Sequence, residues 1–396
     1  MEGASKSQLM KTKRWDNVAA LSAVFCILLG ISISLPNQVK AQPGQHVGTP
    51  QFRVDPFWPK PLPDKWLLVD VTGVCVDRRD HVFILNHNNP TAQEEQIATV
   101  APPVIEFDPE GNVVNSWGDR NVLPLAEPEL HRGGPHGCFV DYEDNVWIGG
   151  TRDGIVQKYS HDGKLLLQIG TRGKWDSADG TIHGVATNSS HSLLNGPNAV
   201  AVDPSNGDVY IADGVASGNR RVVAFDRDGK YLRQWGRQAT KAEAEAGVGG
   251  VFLDEGPHHL AFGEDGLLYV CDRVADRVEV FDKMGNFIRN IHVKRLTANL
   301  NTVEMSGKVN PVGTVWQLAF SPDRAQKYMY VADGGDEVIW IVDRTTGETL
   351  SNFGRPGHQA GNFTGLHMIA TDSKGDIIAI ETNGGRRVQR FKFLGY

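Results

Sequence analysis

The stretch GPNAVAVDPSNGDVYIADGVASGNRRVVAFDRDGKYLRQWG, residues 196–236, decides the fold. It holds four short apolar, β-branched or aromatic runs, NAVAVD, DVYIAD, RVVAFD and YLRQWG. They are separated by turn chemistry at 204–207, 214–219 and 228–229. Period-two runs of this length between Gly, Asn, Asp and Pro clusters predict a four-stranded antiparallel meander. One such sheet has two faces and two open edges, so it cannot bury itself and has to recur.

It does recur. Upstream, residues 69–118 contain VDVTGVCVD, HVFILNH and, after an insertion, PVIEFDPEGNVVNSWG; residues 135–170 contain PHGCFVDYEDNVWIGG and GIVQKYSHDGKLLLQIG. Downstream copies occupy 256–291, 313–354 and 365–396. Six copies of a four-strand unit of about 40 residues predict an all-β protein, a six-bladed β-propeller over residues 66–396. The last copy ends after its third strand, RRVQRFKF. The isolated run QFRV at 51–54, within an extended Pro-rich segment at 42–65, is expected to supply the missing outer strand and close the ring.

Composition narrows the partners. A formal net charge of −7 and a pI near 6.0 exclude the basic face that nucleic-acid binding needs. The first 41 residues differ from the rest: Lys6, Lys11, Lys13 and Arg14 precede an uncharged apolar run from Val18 to Leu35, and Ala41 offers a small residue at a cleavage position. This is the layout of a secretory signal peptide, with an uncleaved membrane anchor as the alternative, so the chain is expected to be exported, periplasmic or secreted. After cleavage Cys75, Cys138 and Cys271 remain, all in strand-like apolar runs. They are expected to be buried core thiols, of which at most one pair could join.

Aligning the starts of the six innermost strands places Thr72, His136, Asn198, His258, Trp316 and His367 at one level beside the central channel. Histidine occupies the second, fourth and sixth positions. Alternate blades of a six-fold ring lie about 120° apart, so three imidazoles should converge on the axis. Three nitrogen ligands with an open fourth position is how catalytic zinc is held, and His136, His258 and His367 are the predicted metal ligands. Strand alternation is expected to turn His259 away from His258, into the sheet packing. The strand-end acids Asp213, Asp272 and Asp333 recur with the repeat and read as turn and inter-blade hydrogen-bonding groups.

The recurring pattern resembles the NHL repeat, and it covers nearly the whole chain after the N-terminal segment. Within it, PHG at Pro135, PHHL at Pro257 and LHMI at Leu366 resemble the three metal-binding segments of peptidyl-α-hydroxyglycine α-amidating lyase, a six-bladed zinc enzyme. That family cleaves a carbinolamide N–C bond to give a peptide amide and glyoxylate. The resemblance implies a zinc-dependent carbon–nitrogen lyase acting on a small-molecule or peptide substrate. A separate monooxygenase would have to supply that substrate. By the same resemblance CDRVADRVEVF carries over Arg273 as a carboxylate-binding or substrate-orienting arginine, and a fork-shaped guanidinium suits a substrate carboxylate.

Three departures stand beside this. The family's catalytic tyrosine after Asp-Gly in the third blade is Val215 here. Its second arginine, in the first blade, falls at His87 within LNHNN, and its calcium-holding acid after the third histidine is Met368, which puts calcium in doubt. His87 is the candidate replacement acid or base, since imidazole titrates near neutrality. The alternative readings are a zinc hydrolase of an ester, lactone or amide, and a non-enzymatic ligand-binding propeller.

Overall fold

The computed structural model describes residues 48–124, 126–127, 132–215, 218–297, 301–303 and 309–396. The segment 1–41, read above as an export signal or anchor, lies outside them. No described helix is long and apolar enough to cross a membrane.

Six four-stranded antiparallel sheets form the propeller. The innermost strands of blades 1 to 6 are Val71–Val76, Pro135–Val140, Pro197–Val202, His259–Phe262, Gln317–Phe320 and Leu366–Thr371. They touch one another in cyclic order, the sixth returning to the first. In blades 2 to 5 the next three strands of the chain follow outward in order, and blade 1 does the same apart from the short strand Thr99–Val100, which pairs with Trp66–Leu67 instead. Blade 6 is completed from the other end of the chain: Gln51–Asp55 pairs antiparallel with Val388–Gly395, with Phe52 opposite Phe393, Val54 opposite Phe391 and Asp55 opposite Arg390. The QFRV strand is therefore the ring-closing strand. Arg390 and Lys392 both reach Asp55, at 2.7 and 3.1 Å, and fasten the seam electrostatically.

The core is divided among the blade interfaces. One apolar cluster fills each of the six junctions; Val156, Ile169, Val200 and Ile211 lie between blades 2 and 3, and Val278, Val280, Leu318 and Met329 between blades 4 and 5. Because a neighbour packs on either face of each sheet, the second strands are buried at every position, as in Val209–Asp213 and Leu268–Asp272. Alternation survives on outer strands such as Tyr231–Trp235, which face solvent.

Close approach at the centre needs residues without a side chain. A Cβ on Gly73 would lie 2.2 Å from the carbonyl oxygen of His136, and one on Gly137 would lie 2.1 Å from that of Asn198. The same approach corrects the cysteine expectation. Cys75 and Cys138, on the innermost strands of blades 1 and 2, are joined in a disulfide with Cα atoms 5.4 Å apart. Among the described residues Cys271 is the one free thiol, and it is buried. The strand-end acids do serve turns, but each bonds within its own blade and the segment leading into it. Asp213 accepts from the backbone N–H of Asn195, from Asn219 Nδ2 and from Arg221 Nε. Asp272 accepts from Leu253 N–H and Arg277 Nε, and Asp333 from Gly335, Asp336 and the Trp340 indole.

Candidate metal centre

The three histidines at the heads of the innermost strands of blades 2, 4 and 6 meet in the channel. Their ring centroids lie 4.7 Å (His136–His367), 5.7 Å (His258–His367) and 5.8 Å (His136–His258) apart. One nitrogen from each falls within 4.8 Å of the other two. Their ring orientation is set by the next blade. His258 Nδ1 donates to the carbonyl of Trp316 at 2.6 Å, and His367 Nδ1 to that of Thr72 at 3.1 Å. With the proton on Nδ1, Nε2 of each ring keeps its lone pair, the form a metal requires. His136 Nδ1 is buried with no hydrogen-bond partner. Two further contacts complete the belt: Thr72 Oγ1 donates to the Pro135 carbonyl at 2.6 Å, and Asn198 Nδ2 to that of His258.

Burial drives all three imidazoles toward the neutral state, His367 down to about 3. The nearby Arg273 guanidinium adds to this at each ring. Neutral, deprotonated nitrogens in a site with no carboxylate of its own fit a borderline divalent cation such as zinc. They also leave the cation's charge to be met by an anionic ligand.

Arg273 lies close enough to act electrostatically on all three rings. Its guanidinium carbon lies 3.6 Å from the centroid of the Trp316 ring, and its Nε donates to the Val312 carbonyl at 2.9 Å. The Glu255 carboxylate is 3.8 Å from Nη1. Burial lowers the Arg273 pKa to about 10, although Glu255 opposes this. A stacked, half-buried guanidinium held by its Nε presents its outer edge for a bidentate carboxylate contact.

His87, expected above to be a replacement acid or base, is closed off from solvent. It is buried, its backbone N–H bonds Asp70, and its Nε2 donates to the Pro135 carbonyl at 2.9 Å, next to His136. Burial lowers its pKa, so it is neutral with the proton on Nε2. His259 turns away from the three-histidine centre, as expected, and is buried between the innermost strands of blades 4 and 5. Its Nε2 meets Gln317 Nε2 at 3.1 Å, and it lines a cavity of about 390 Å³ with Gln317 and the Cys75–Cys138 bridge. Met368 is fully buried among apolar side chains of blades 6 and 1 and offers nothing to a calcium ion.

Two groups near the centre escaped the sequence reading. Arg120, from the loop after blade 1, donates to the carbonyls of His87 and Ala101 and secures the His87 loop. Arg220 donates to the carbonyls of Gly214, Gly218 and Asn219, and Val215 is buried. Both come from irregular segments, outside the repeat that made the histidines visible.

The NHL repeat family matches residues 194–225, within the third blade. The chain is 24% identical over 309 residues to peptidyl-glycine alpha-amidating monooxygenase B of Xenopus laevis, covering 77% of this chain and 31% of that one. Peptidyl-alpha-hydroxyglycine alpha-amidating lyase 1 of Drosophila melanogaster is 27% identical over 344 residues, covering 81% and 56%. This chain is a six-bladed propeller that carries an NHL repeat and is similar in sequence to the amidating enzymes. Human NHL repeat-containing protein 3 is 31% identical over 239 residues, covering 59% of this chain and 57% of that one. The propeller thus spans about a third of the frog enzyme and somewhat over half of the other two.

Proposed function

We propose that this propeller is an exported zinc-dependent carbon–nitrogen lyase that cleaves a carbinolamide bearing a carboxylate, releasing an amide and glyoxylate. The observation that carries the reading is the convergence of three neutral imidazoles beside Arg273, with no protein carboxylate among them. His136, His258 and His367 would hold the ion. When bound, zinc supplies Lewis acidity toward a hydroxyl or carbonyl oxygen.

The chain's own residues account for the rest. Arg273 binds the substrate carboxylate, and the Trp316 face keeps the guanidinium plane fixed. The Trp316 and Thr72 carbonyls keep two imidazoles in the required tautomer. In the reaction the hydroxyl proton leaves, the C–O bond becomes a carbonyl, and the electrons of the C–N bond pass to nitrogen, which takes up a proton. His87 serves as a proton carrier through Nδ1, since its Nε2 proton is committed to Pro135. The disulfide is in keeping with an oxidising, extracytoplasmic compartment. A carbinolamide of this kind arises by hydroxylation of a glycine α-carbon, so the proposal requires a separate monooxygenase as supplier.

The deciding experiment is glyoxylate release from a peptide ending in α-hydroxyglycine, with the metal content of the purified chain measured alongside. Activity lost on chelation and restored by zinc is the expected result. Stoichiometric zinc without glyoxylate would turn the assignment to hydrolysis of an ester, lactone or amide, and no stoichiometric metal would remove both enzymatic readings.

A further inference from the structure

A second set of metal-ligating side chains lies at the other end of the innermost strands, where blade 1 meets blade 2. The strand Val71–Val76 begins beside the three-histidine centre and ends at Asp77, so the two places are about 15–20 Å apart. Asp77, Asp144 and His161 offer ligand atoms within 4.8 Å of one another, and Asp77, His81 and Glu106 do the same. Glu106 comes from the third strand of blade 1 and is 2% exposed. Its Oε1 is held by His81 Nδ1 at 2.6 Å. Its Oε2 is buried and has no hydrogen-bond partner, although His161 Nε2 stands 3.1 Å away.

The middle of this cluster holds a positive group. Arg79 Nη2 is 2.7 Å from Asp77 Oδ2, 3.2 Å from Asp144 Oδ2, and 3.1 and 3.2 Å from the two ring nitrogens of His161. One nitrogen at the focus of two carboxylates and an imidazole from two blades occupies the position a coordinated cation would take. The Arg79 side chain is 48% exposed, so it can withdraw into solvent without disturbing the blades.

We propose that this seam is a second divalent-cation site, distinct from the three-histidine centre, with Asp77, Asp144 and His161 as ligands and Arg79 as the stand-in for the ion. Two carboxylates with an imidazole suit a borderline divalent ion, for which zinc is the probe. Glu106, itself held by His81, would then orient His161 from behind, as outer partners orient metal ligands. The ligands belong to blades 1 and 2, so the ion would clamp these blades together and stabilise the folded ring.

The test is equilibrium dialysis of the full chain against Zn²⁺, with thermal unfolding as a second readout. In the His136→Ala/His258→Ala variant, which lacks the three-histidine centre, about one equivalent should remain, and adding Asp144→Asn and His161→Ala should remove it. Loss of all zinc in the His136→Ala/His258→Ala variant overturns the seam site and leaves the other assignment untouched. Arg79→Ala removes only an exposed arm and decides the matter should the seam variants fail to fold. Its zinc affinity should rise about tenfold as the competing charge is lost, with a higher Tm in zinc, and an unchanged affinity overturns the proposal.

Discussion

At His258 and His367 the chemistry of the ring is chosen by a carbonyl of the next blade, so an imidazole and a backbone oxygen from different repeats form one unit. Each His→Ala substitution among His136, His258 and His367 should therefore remove the one equivalent of metal held at this centre, because two nitrogens in a deep channel cannot replace three. Arg273 makes the sharper functional test. Arg273→Ala should lower kcat/KM for a carboxylate-bearing substrate about 100-fold, mainly through KM, and Arg273→Lys should restore little, since an ammonium neither forks nor stacks as a guanidinium does. An uncharged amide analogue of the substrate should be nearly indifferent to the same change. Gly137 sets the limit of tolerance around the centre. Gly137→Ala forces a methyl against the Asn198 carbonyl and should cost about 3 kcal/mol in chemical denaturation, with weakened metal binding because His136 is its neighbour.

Among the elements, the ring-closing strand Gln51–Asp55 carries the most consequence for its size. Burial alone would raise the pKa of Asp55, but the hydrogen bonds from Arg390 and Lys392 outweigh it and lower the carboxyl to about 2. A carboxyl held below its unfolded value near 3.8 contributes stability that is complete above about pH 4 and is lost as pH falls toward 2. Acid unfolding followed between pH 5 and 2 should therefore be shallower in Asp55→Asn than in the native chain, while the variant is already less stable at neutral pH. Equal slopes would show that this seam does not sense acid. The loop bearing His87 illustrates the opposite case at this scale. Its ring is pinned by the Pro135 carbonyl and its backbone carbonyl is held by Arg120, so it is part of the blade 1–blade 2 junction as much as of the channel.

On the scale of the whole molecule, the propeller is held by six interfaces in series and by two fasteners of different kinds, the strand from the N-terminal side and the Cys75–Cys138 bridge. The bridge spans 63 residues, for which chain entropy predicts about 4 kcal/mol. Reduction, or Cys75→Ala/Cys138→Ala, should lower the unfolding free energy by about 2–4 kcal/mol with the β-rich circular dichroism intact. The sequence by itself determined the repeat, the number of blades, the donated strand and the level at which the three histidines stand. All of these follow from local apolar periodicity and turn residues, which recur because each sheet needs a neighbour to bury its faces. Only the tertiary structure decided that Cys75 meets Cys138, that Arg273 lies on Trp316, that His87 is turned onto Pro135, and that Arg79 enters a cluster from the adjoining blade. These pairings join residues of different repeats or irregular loops. Their partners are set by how closely two blades pack, a distance that no local pattern encodes.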